Sequence, residues 1–452
     1  MKVLLIQPPS HTPLMDQVYL FEPLALEYLG AGVKQDGHCV RLLDARLDPD
    51  LERCLHEFQP NVVGVTGFTS HLNIVKEIAS RVRQLYPDVL LIVGGHHATV
   101  CPEDFNDSAF DLVVIGEGVV ALQEILREVE GSGDFSKISG LGLPGADGMQ
   151  FTPQRPYTPL DELPLPDRSL TSQYRFNYFS ECFTPLASIR TSLGCTARCT
   201  FCALWSITGG KYLRRDPSAV IEELKGISEE NIFFCDDESM CDTRRMDRLA
   251  DLISAAGIRK RYFLYARVDT IVGHRDLFAK WAAIGLSQVF VGMEDFSDER
   301  LAAMKKGVTT DQQAEAARIL GELGVMMYAS FMVDPEYTRK DFHTLTLYIR
   351  KLKLTYATFT VMTPLPGTEL HEARSKDLLS RKPELFDMLH ALLPTRLPLP
   401  EFYDELAKLY AGAVPICRSL PTLLRYGLHG LFMRIRLLGT FLKRVRAAHL
   451  DY

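Results

Sequence analysis

The chain has 452 residues, which is too long for one compact core and predicts two to four domains. It is 46% hydrophobic and 24% charged, a balance typical of folded rather than disordered chains. A net charge of −7 argues against a nucleic-acid-binding protein. No stretch of about 18 uninterrupted apolar residues occurs, so no membrane-spanning helix is predicted.

The first residues predict a buried strand rather than an export signal, because the apolar run Lys2–Gln7 stops at two prolines. A cytoplasmic protein is therefore expected, and disulfides are rare in that compartment. Cysteine clusters in such a chain are better interpreted as metal ligands.

Residues 1–135 alternate between apolar strands and amphipathic helices. The predicted strands are Val3–Gln7, Cys39–Asp44, Val62–Thr66, Leu90–Gly94 and Leu112–Ile115, and the helices are Ala25–Asp36, Leu51–Phe58, Asn73–Leu85 and Val119–Val129. Such alternation predicts a parallel sheet covered on both faces, as in a Rossmann-like or flavodoxin-like domain. These sheets bind ligands beyond the carboxyl ends of their strands.

Small and polar residues follow three of these strands. They are Thr66 and Ser70 after the third, Gly94, Gly95 and His97 after the fourth, and Gly116, Glu117 and Gly118 after the fifth. Glycine lets the backbone approach a ligand, and hydroxyls supply hydrogen bonds. Ordinary tight turns are the alternative, but three such loops at one edge favour a ligand site.

Residues 136–183 contain many prolines and are interpreted as a connector. A second α/β pattern occupies residues 184–375. Its predicted strands are Ala187–Thr191, Asn231–Asp236, Tyr262–Ala266, Gln288–Gly292, Met326–Met332 and Tyr356–Met362. Six strand–helix units indicate a partial (β/α)6 barrel. Tyr328, Phe331 and Phe359 fall on these strands, where core packing is the expected role.

Residues 376–452 are predicted to be helical, with a basic amphipathic tail. Residues 415–450 hold no Asp or Glu, and their Lys and Arg residues are Arg418, Arg425, Arg434, Arg436, Lys443, Arg444 and Arg446. Such a helix can lie on an anionic membrane surface, which here would be the inner membrane face. The alternative is a terminal helix packed on the barrel with its arginines in solvent.

Residues 194–202, GCTARCTFC, place Cys195, Cys199 and Cys202 at C-x3-C-x2-C spacing directly after a strand. Thiolates are the soft ligands that iron–sulfur clusters require. An electron-transfer cluster would take a fourth cysteine, and none is nearby, so one iron is expected to remain open for a substrate. A structural zinc site would need four ligands, and the chain has no second C-x2-C pair.

This loop resembles that of the radical S-adenosylmethionine (radical SAM) superfamily, including the aromatic Phe201 before the third cysteine. The resemblance implies a [4Fe–4S] cluster whose open iron binds S-adenosylmethionine. One electron then cleaves the sulfonium and releases a 5′-deoxyadenosyl radical. An external reductant such as flavodoxin or ferredoxin is implied as well.

Three further strings resemble strand ends of that superfamily: residues 233–238, FFCDDE; residues 265–269, YARVD; and residues 291–294, VGME, followed by MKKG at residues 304–307. By analogy, Glu294 would contact S-adenosylmethionine, with Arg267 and Asp236 also at the cofactor. Each match alone has a simpler explanation, since charged residues often end strands in solvent.

A flavodoxin-like domain before such a barrel resembles the cobalamin-binding radical SAM class. The loops at residues 93–99, VGGHHAT, and residues 115–118, IGEG, look like that class's cobalamin loops. The D-x-H-x-x-G signature of many cobalamin domains is broken at Asp36–Arg41, so His38 is not assigned to cobalt. Cobalamin is therefore expected without that histidine.

Within the class, residues 363–368, TPLPGT, and residues 393–399, LPTRLPL, resemble the hopanoid C-3 methylase group. The resemblance implies methylation of an unactivated sp³ carbon in a polycyclic lipid. Two alternatives stay open: an oxidative ring cyclase of the magnesium-protoporphyrin monomethyl ester type, and a non-enzymatic iron–sulfur carrier or sensor.

Overall fold

The computed structural model describes residues 1–12, 15–180, 183–413 and 420–452, and the chain folds into two compact units. Unit 1 comprises Met1–Thr196 and Ala203–Asp237, and unit 2 comprises Ala197–Cys202 and Glu238–Tyr452.

Unit 1 is built on a seven-stranded sheet in the order β3-β1-β4-β5-β6-β7-β8. Its strands are β1 (Lys2–Gln7), β3 (Cys39–Asp44), β4 (Val62–Thr66), β5 (Leu90–Gly94), β6 (Leu112–Val114), β7 (Leu141–Leu143) and β8 (Gln150–Phe151), while the two-residue β2 (Tyr19–Leu20) pairs with β9 (Phe179–Ser180) outside it. β3, β1, β4, β5 and β6 are parallel.

Helices cover both faces of this sheet, and the residues of β1 accordingly alternate between two separate cores. Leu4 and Ile6 belong to one core cluster, and Val3 and Leu5 belong to the other. The helices are α1 (Leu24–Gln35), α2 (Leu51–Phe58), α3 (Leu72–Leu85), α4 (His96–Val100) and α5 (Val119–Glu130). The predicted doubly covered parallel sheet is confirmed.

The proline-rich connector contributes more structure than the sequence indicates. β7 and β8 lie within residues 136–183 and extend the sheet as an antiparallel hairpin next to β6. β7 has three residues and β8 has two, which is too short for a strand pattern to be recognised in the sequence. The proline and glycines of residues 144–148 between them are typical of a loop.

Unit 1 also holds the first two strands of the predicted barrel, β10 (Leu186–Ile189) and β13 (Asn231–Phe234), which pair in parallel. Between them lie β11 (Ser192–Leu193), α6 (Leu204–Thr208), β12 (Leu213–Arg214) and α7 (Pro217–Gly226).

Unit 2 carries the other four strands, which pair in parallel in chain order: β14 (Arg261–Ala266), β15 (Leu286–Glu294), β16 (Met326–Val333) and β17 (Tyr356–Val361). Its helices are α8 (Thr243–Ala255), α9 (Val268–Gly273), α10 (Arg275–Ala283), α11 (Asp298–Ala303), α12 (Thr310–Glu322), α13 (Arg339–Lys351), α14 (Glu369–Arg374), α15 (Leu399–Ala413) and α16 (Leu420–Ala447). All six predicted barrel strands are present, each followed by at least one helix, and the predicted fold class is confirmed.

Phe331 and Phe359 pack in the core of unit 2, as expected, and are 0% and 1% exposed. Tyr328 does not share their environment. It lies on the opposite face of β16 and is partly exposed, because neighbouring residues of a strand point to opposite sides.

The predicted tail helix is α16. Arg418 lies outside the described residues, as do the side chains of Arg425 and Arg434. The end of α16 packs on α15, where the rings of Tyr410 and Phe441 are 4.8 Å apart, while Phe432 and Ile435 are 62% and 52% exposed. Among the residues that the structure describes, no helix is both long and apolar enough to cross a bilayer.

Asp451 and Tyr452 form hydrogen bonds with the loop that contains His390. Asp387 Oδ1 lies 3.0 Å from His390 Nδ1, and Asp451 Oδ2 lies 3.1 Å from Nε2. The hydroxyl of Tyr452 donates to the carbonyl of Ala391 at 2.8 Å. Burial opposes the charged imidazole, but the two carboxylates outweigh it and raise the pKa of His390 above 6.5.

We expect this contact to weaken as pH rises. Since the folded-state pKa of His390 is raised, the stabilisation is complete below about pH 6.5 and is lost as pH passes through the folded pKa. Hydrogen exchange of residues 387–391, corrected for the intrinsic rate, should accelerate as the pH rises above 6.5 and through the folded-state pKa. His390→Gln should remove most of this dependence, and an identical pH profile in that variant would refute the role.

Candidate functional site

The ligand loops predicted in unit 1 do lie together, because β4, β5 and β6 are adjacent and parallel. Thr66 pairs with Gly94 at the ends of β4 and β5. The amide of Gly116 donates to Thr99 Oγ1 at 3.1 Å, and that hydroxyl donates to the carbonyl of Gly95 at 2.8 Å. One continuous polar edge results.

Two of the predicted binding residues already have partners within this edge. His97 is 1% exposed, and its ring nitrogens lie 3.1 Å from Thr69 Oγ1 and 3.0 Å from Asp104 Oδ2. Glu117 accepts hydrogen bonds from the first amides of α5, at 2.6 and 3.1 Å, and therefore caps that helix. Both side chains therefore stabilise the conformation of these loops.

Much of the exposed edge is backbone and small side chains, together with the ring of Phe68, which is 58% exposed. Gly95 is exposed with φ +97°, and an added Cβ would collide with Thr66 Oγ1. Gly116 has φ +84°, and a Cβ there would meet no atom within 4 Å. Ser70 is partly exposed, and a Cβ on Gly118 would press on Leu29 at 3.2 Å. Such an open, glycine-lined edge fits a large flat cofactor.

In the same unit, Asp236 fixes the strand that leads into the cysteine loop. It is 1% exposed, and its carboxylate accepts from the amides of Thr191 and Ser192 at 2.6 and 2.8 Å and from the Thr191 hydroxyl at 2.6 Å. Asp237 accepts from the amide of Gly194 at 2.7 Å. This bonding makes Asp236 a positioning residue for the loop, and its role as a cofactor contact stays a prediction.

Gly194 begins the loop in a conformation that other residues rarely adopt. Its φ is +98°, and a Cβ would collide with the carbonyl of Lys211. Cys195, Cys199 and Cys202 all have intermediate exposure. Three accessible thiols on one short loop are the donor set that an iron–sulfur cluster requires.

Cys199 and Cys202 belong to a segment that is anchored within unit 2. The amide of Thr200 donates to Met304 at 3.1 Å, and the amide of Leu370 donates to Thr200 at 2.9 Å. Arg267 lies beside this segment, with Nη1 4.0 Å from the Cys199 sulfur. Its other nitrogens bind Asp269 and the carbonyl of Lys306, which holds the guanidinium in place.

Glu294 ends β15 with φ +63°, in the left-handed region that a non-glycine residue seldom occupies. Its carboxylate binds the ammonium of Lys306 at 2.6 Å, and both residues are less than 9% exposed. Through the Lys306 carbonyl this pair connects to Arg267, and through Arg267 to Cys199. S-adenosylmethionine carries both an ammonium and a carboxylate, so this mixture of charges is complementary to it.

Comparison with known proteins gives two family matches. Residues 17–126 match the B12 binding domain, and residues 189–349 match the radical SAM superfamily. Hopanoid C-3 methylase from Methylococcus capsulatus is 32% identical, over 90% of this chain and 79% of that protein. The chain belongs to the cobalamin-binding radical SAM family. It is a radical SAM methyltransferase, and it uses a [4Fe–4S] cluster, S-adenosylmethionine and cobalamin.

Two further relatives bear on the comparison. Anaerobic magnesium-protoporphyrin IX monomethyl ester cyclase from Cereibacter sphaeroides is 24% identical, over 75% of this chain and 58% of that protein. The fold resembles that of the radical SAM methyltransferase TsrM from Kitasatospora setae, with a TM-score of 0.73, 19% identity and coverage of 92% of this chain and 90% of that one.

Sequence reasoning singled out Glu294 but not its partner. Lys306 lies in the string MKKG at residues 304–307, and the sequence does not indicate that this lysine is buried. One signal could have indicated a buried lysine. Lys305 and Lys306 are adjacent, and neighbouring residues at the end of a helix face different environments, so one of the two would be expected to point inward. Lys305 is exposed and pairs with Glu369 at 2.6 Å.

Proposed function

We propose that this enzyme methylates an unactivated carbon of a polycyclic lipid, with the C-3 position of a hopanoid as the specific target. The observation that carries this proposal is the 32% identity to hopanoid C-3 methylase over 90% of the chain. The exposed apolar residues of α16 in a basic tail are consistent with a substrate that resides in a membrane.

We also propose which residues hold each of the three cofactors. Cys195, Cys199 and Cys202 would ligate the cluster, and Glu294 and Arg267 would bind S-adenosylmethionine. Thr66, Ser70, Gly94, Gly95, Gly116 and Gly118 would contact cobalamin, with His97 and Glu117 supporting these loops. The proposed domains are residues 1–135, 136–183, 184–375 and 376–452.

When bound, the cofactors supply a carbon-centred radical and a transferable methyl group. An sp³ C–H bond offers no acidic proton, so the protein needs no general base at the substrate. The chain's own contribution is to fix the cofactors and the substrate and to exclude water. Asp236 fixes the strand before the cysteine loop, and Arg267 lies beside Cys199. The Glu294–Lys306 pair presents fixed charges for the amino acid part of S-adenosylmethionine.

The direct test is incubation of the reconstituted enzyme with cobalamin, a chemical reductant, a hopanoid and S-adenosylmethionine with a deuterated methyl group. Mass spectrometry should find the label in the lipid. Production of 5′-deoxyadenosine without any methylated lipid would contradict the assignment. A product that has lost hydrogen and gained oxygen would indicate the ring cyclase reaction instead.

We propose further that the enzyme receives electrons from flavodoxin or ferredoxin and that α16 contacts the inner membrane face. Arg436 and Lys443 are exposed, whereas Arg444 and Arg446 lie 3.0 and 3.2 Å from Asp451 and Asp404.

We expect the enzyme to bind vesicles that contain phosphatidylglycerol. Reversing two cations with Arg436→Glu and Lys443→Glu should weaken binding at least tenfold, since each surface cation contributes about 1 kcal/mol. Lys340→Glu, on the exposed side of α13, is the matched control and should bind normally. Cosedimentation measures both, and equal binding of all variants would exclude the membrane contact.

A further inference from the structure

The four strands of unit 2 present two different faces. On one face, Val289, Val291, Ala329, Phe331 and Phe359 are at most 1% exposed. This face packs against helices: the Phe331 ring contacts Tyr348 of α13, and the Phe359 ring contacts Tyr410 of α15. It is the ordinary helix-covered side of an α/β sheet.

The opposite face carries an aromatic row, which we define as Tyr265, Phe290, Tyr328 and Tyr356. The four residues are paired neighbours on β14, β15, β16 and β17. Their ring centroids are separated by 4.9, 5.3 and 6.3 Å, and each ring is nearly perpendicular to the next. The row therefore forms one continuous corrugated surface, about 14 Å wide from the strand spacing.

Unlike the helix-facing residues, the row is not fully covered. Tyr356 is 37% exposed, and Tyr265, Phe290 and Tyr328 are partly exposed. The inner face of an α/β barrel is normally filled by layers of branched aliphatic side chains. Here aromatic rings stand in one layer, and the next residues toward the carboxyl ends are the small Gly292, Ser330 and Thr358.

The row is continuous with the proposed cofactor site. Phe290 and Gly292 lie two residues apart on β15 and share its face, so about 7 Å separates them. A Cβ on Gly292 would collide with Glu294 Oε1 and lie 2.8 Å from Lys306 Nζ. The Glu294–Lys306 pair therefore covers Gly292, which is the next residue after Phe290 on the same face of β15.

We propose that the aromatic row is the wall that binds the fused apolar rings of the substrate. This inference rests on the proposed function and adds the residues that recognise the lipid. Saturated ring systems present only C–H groups, which pack well on aromatic faces and edges. A row about 14 Å wide contacts several fused rings at once and holds one edge of the ring system toward Glu294.

The test measures binding of a radiolabelled pentacyclic hopanoid, in detergent micelles, to the holoenzyme. Phe290→Leu and Tyr328→Leu keep an apolar side chain but remove the flat ring. Each should weaken lipid binding about tenfold and raise KM by a similar factor. Bound iron and cobalamin should match the wild type.

Phe331→Leu is the control, because it makes the same kind of change on the helix-facing side of β16. It should lower the unfolding temperature while leaving lipid binding and KM unchanged. Equal weakening by all three variants would reveal a general packing effect and overturn the inference, as would unchanged binding in Phe290→Leu and Tyr328→Leu.

The assay separates this inference from the proposed function. If the wild-type enzyme binds the hopanoid through the aromatic row but transfers no methyl group, the proposed function is wrong and the binding role of the row stands. If the wild-type enzyme methylates the hopanoid and both row variants have a normal KM, the binding role of the row is wrong and the proposed function stands. Failure to bind or methylate any polycyclic lipid would overturn both.

Discussion

Replacing Cys199 with alanine is expected to remove the iron–sulfur cluster and all methylation. Three thiolates hold a cluster of four irons, so the loss of one leaves two ligands, too few to retain it. Cys195→Ala and Cys202→Ala should behave in the same way. Iron and sulfide analysis of anaerobically purified protein should fall from about four of each to near zero.

Cys39→Ala is the matched control, since Cys39 is an exposed thiol at the start of β3, outside the loop. It should keep its full iron content. The cluster of the wild type should also change its electron-paramagnetic spectrum when S-adenosylmethionine is added, because one iron is open. A spectrum that is insensitive to S-adenosylmethionine, or a Cys199→Ala variant with normal iron, would refute the ligand assignment.

Glu294→Gln is expected to reduce the affinity for S-adenosylmethionine by roughly 10- to 100-fold, because hydrogen bonds to charged groups contribute about 1.5–3 kcal/mol. It should also destabilise unit 2, since Lys306 would keep a buried charge without its partner, at a cost of about 3–5 kcal/mol. Equilibrium dialysis and thermal unfolding of the anaerobic protein measure the two effects.

The double variant Glu294→Gln/Lys306→Met separates binding from stability. Removing both charges should restore much of the stability, because no buried charge is left unpaired, but it should not restore binding. Lys305→Met provides a control, because Lys305 and Glu369 form an exposed pair worth at most about 1 kcal/mol. Recovery of S-adenosylmethionine binding in the double variant would show that Glu294 is purely structural.

The local pattern of the sequence predicted the strands and helices closely. β3, β4 and β5 occupy the predicted residues, because apolar strands in a doubly covered sheet are visible without reference to distant residues. The hairpin of β7 and β8 was missed, since its stability comes from pairing with β6 rather than from its own composition.

The candidate site was predicted in part. The spacing of Cys195, Cys199 and Cys202 already implies a cluster, because ligand type and short-range spacing are properties of the chain itself. The bonding of Asp236 to the strand before the loop joins residues that are far apart in the chain, so the sequence alone does not show that they pair.

The sequence alone determined the two α/β regions, the cysteine loop and the family resemblance, since each depends on residue type and on neighbours a few positions away. The tertiary structure decided that Lys306 pairs with Glu294, and that helices bury the Phe331 side of the sheet while the Tyr328 side stays partly exposed. The physical reason is that burial and charge pairing arise between residues that only folding brings together.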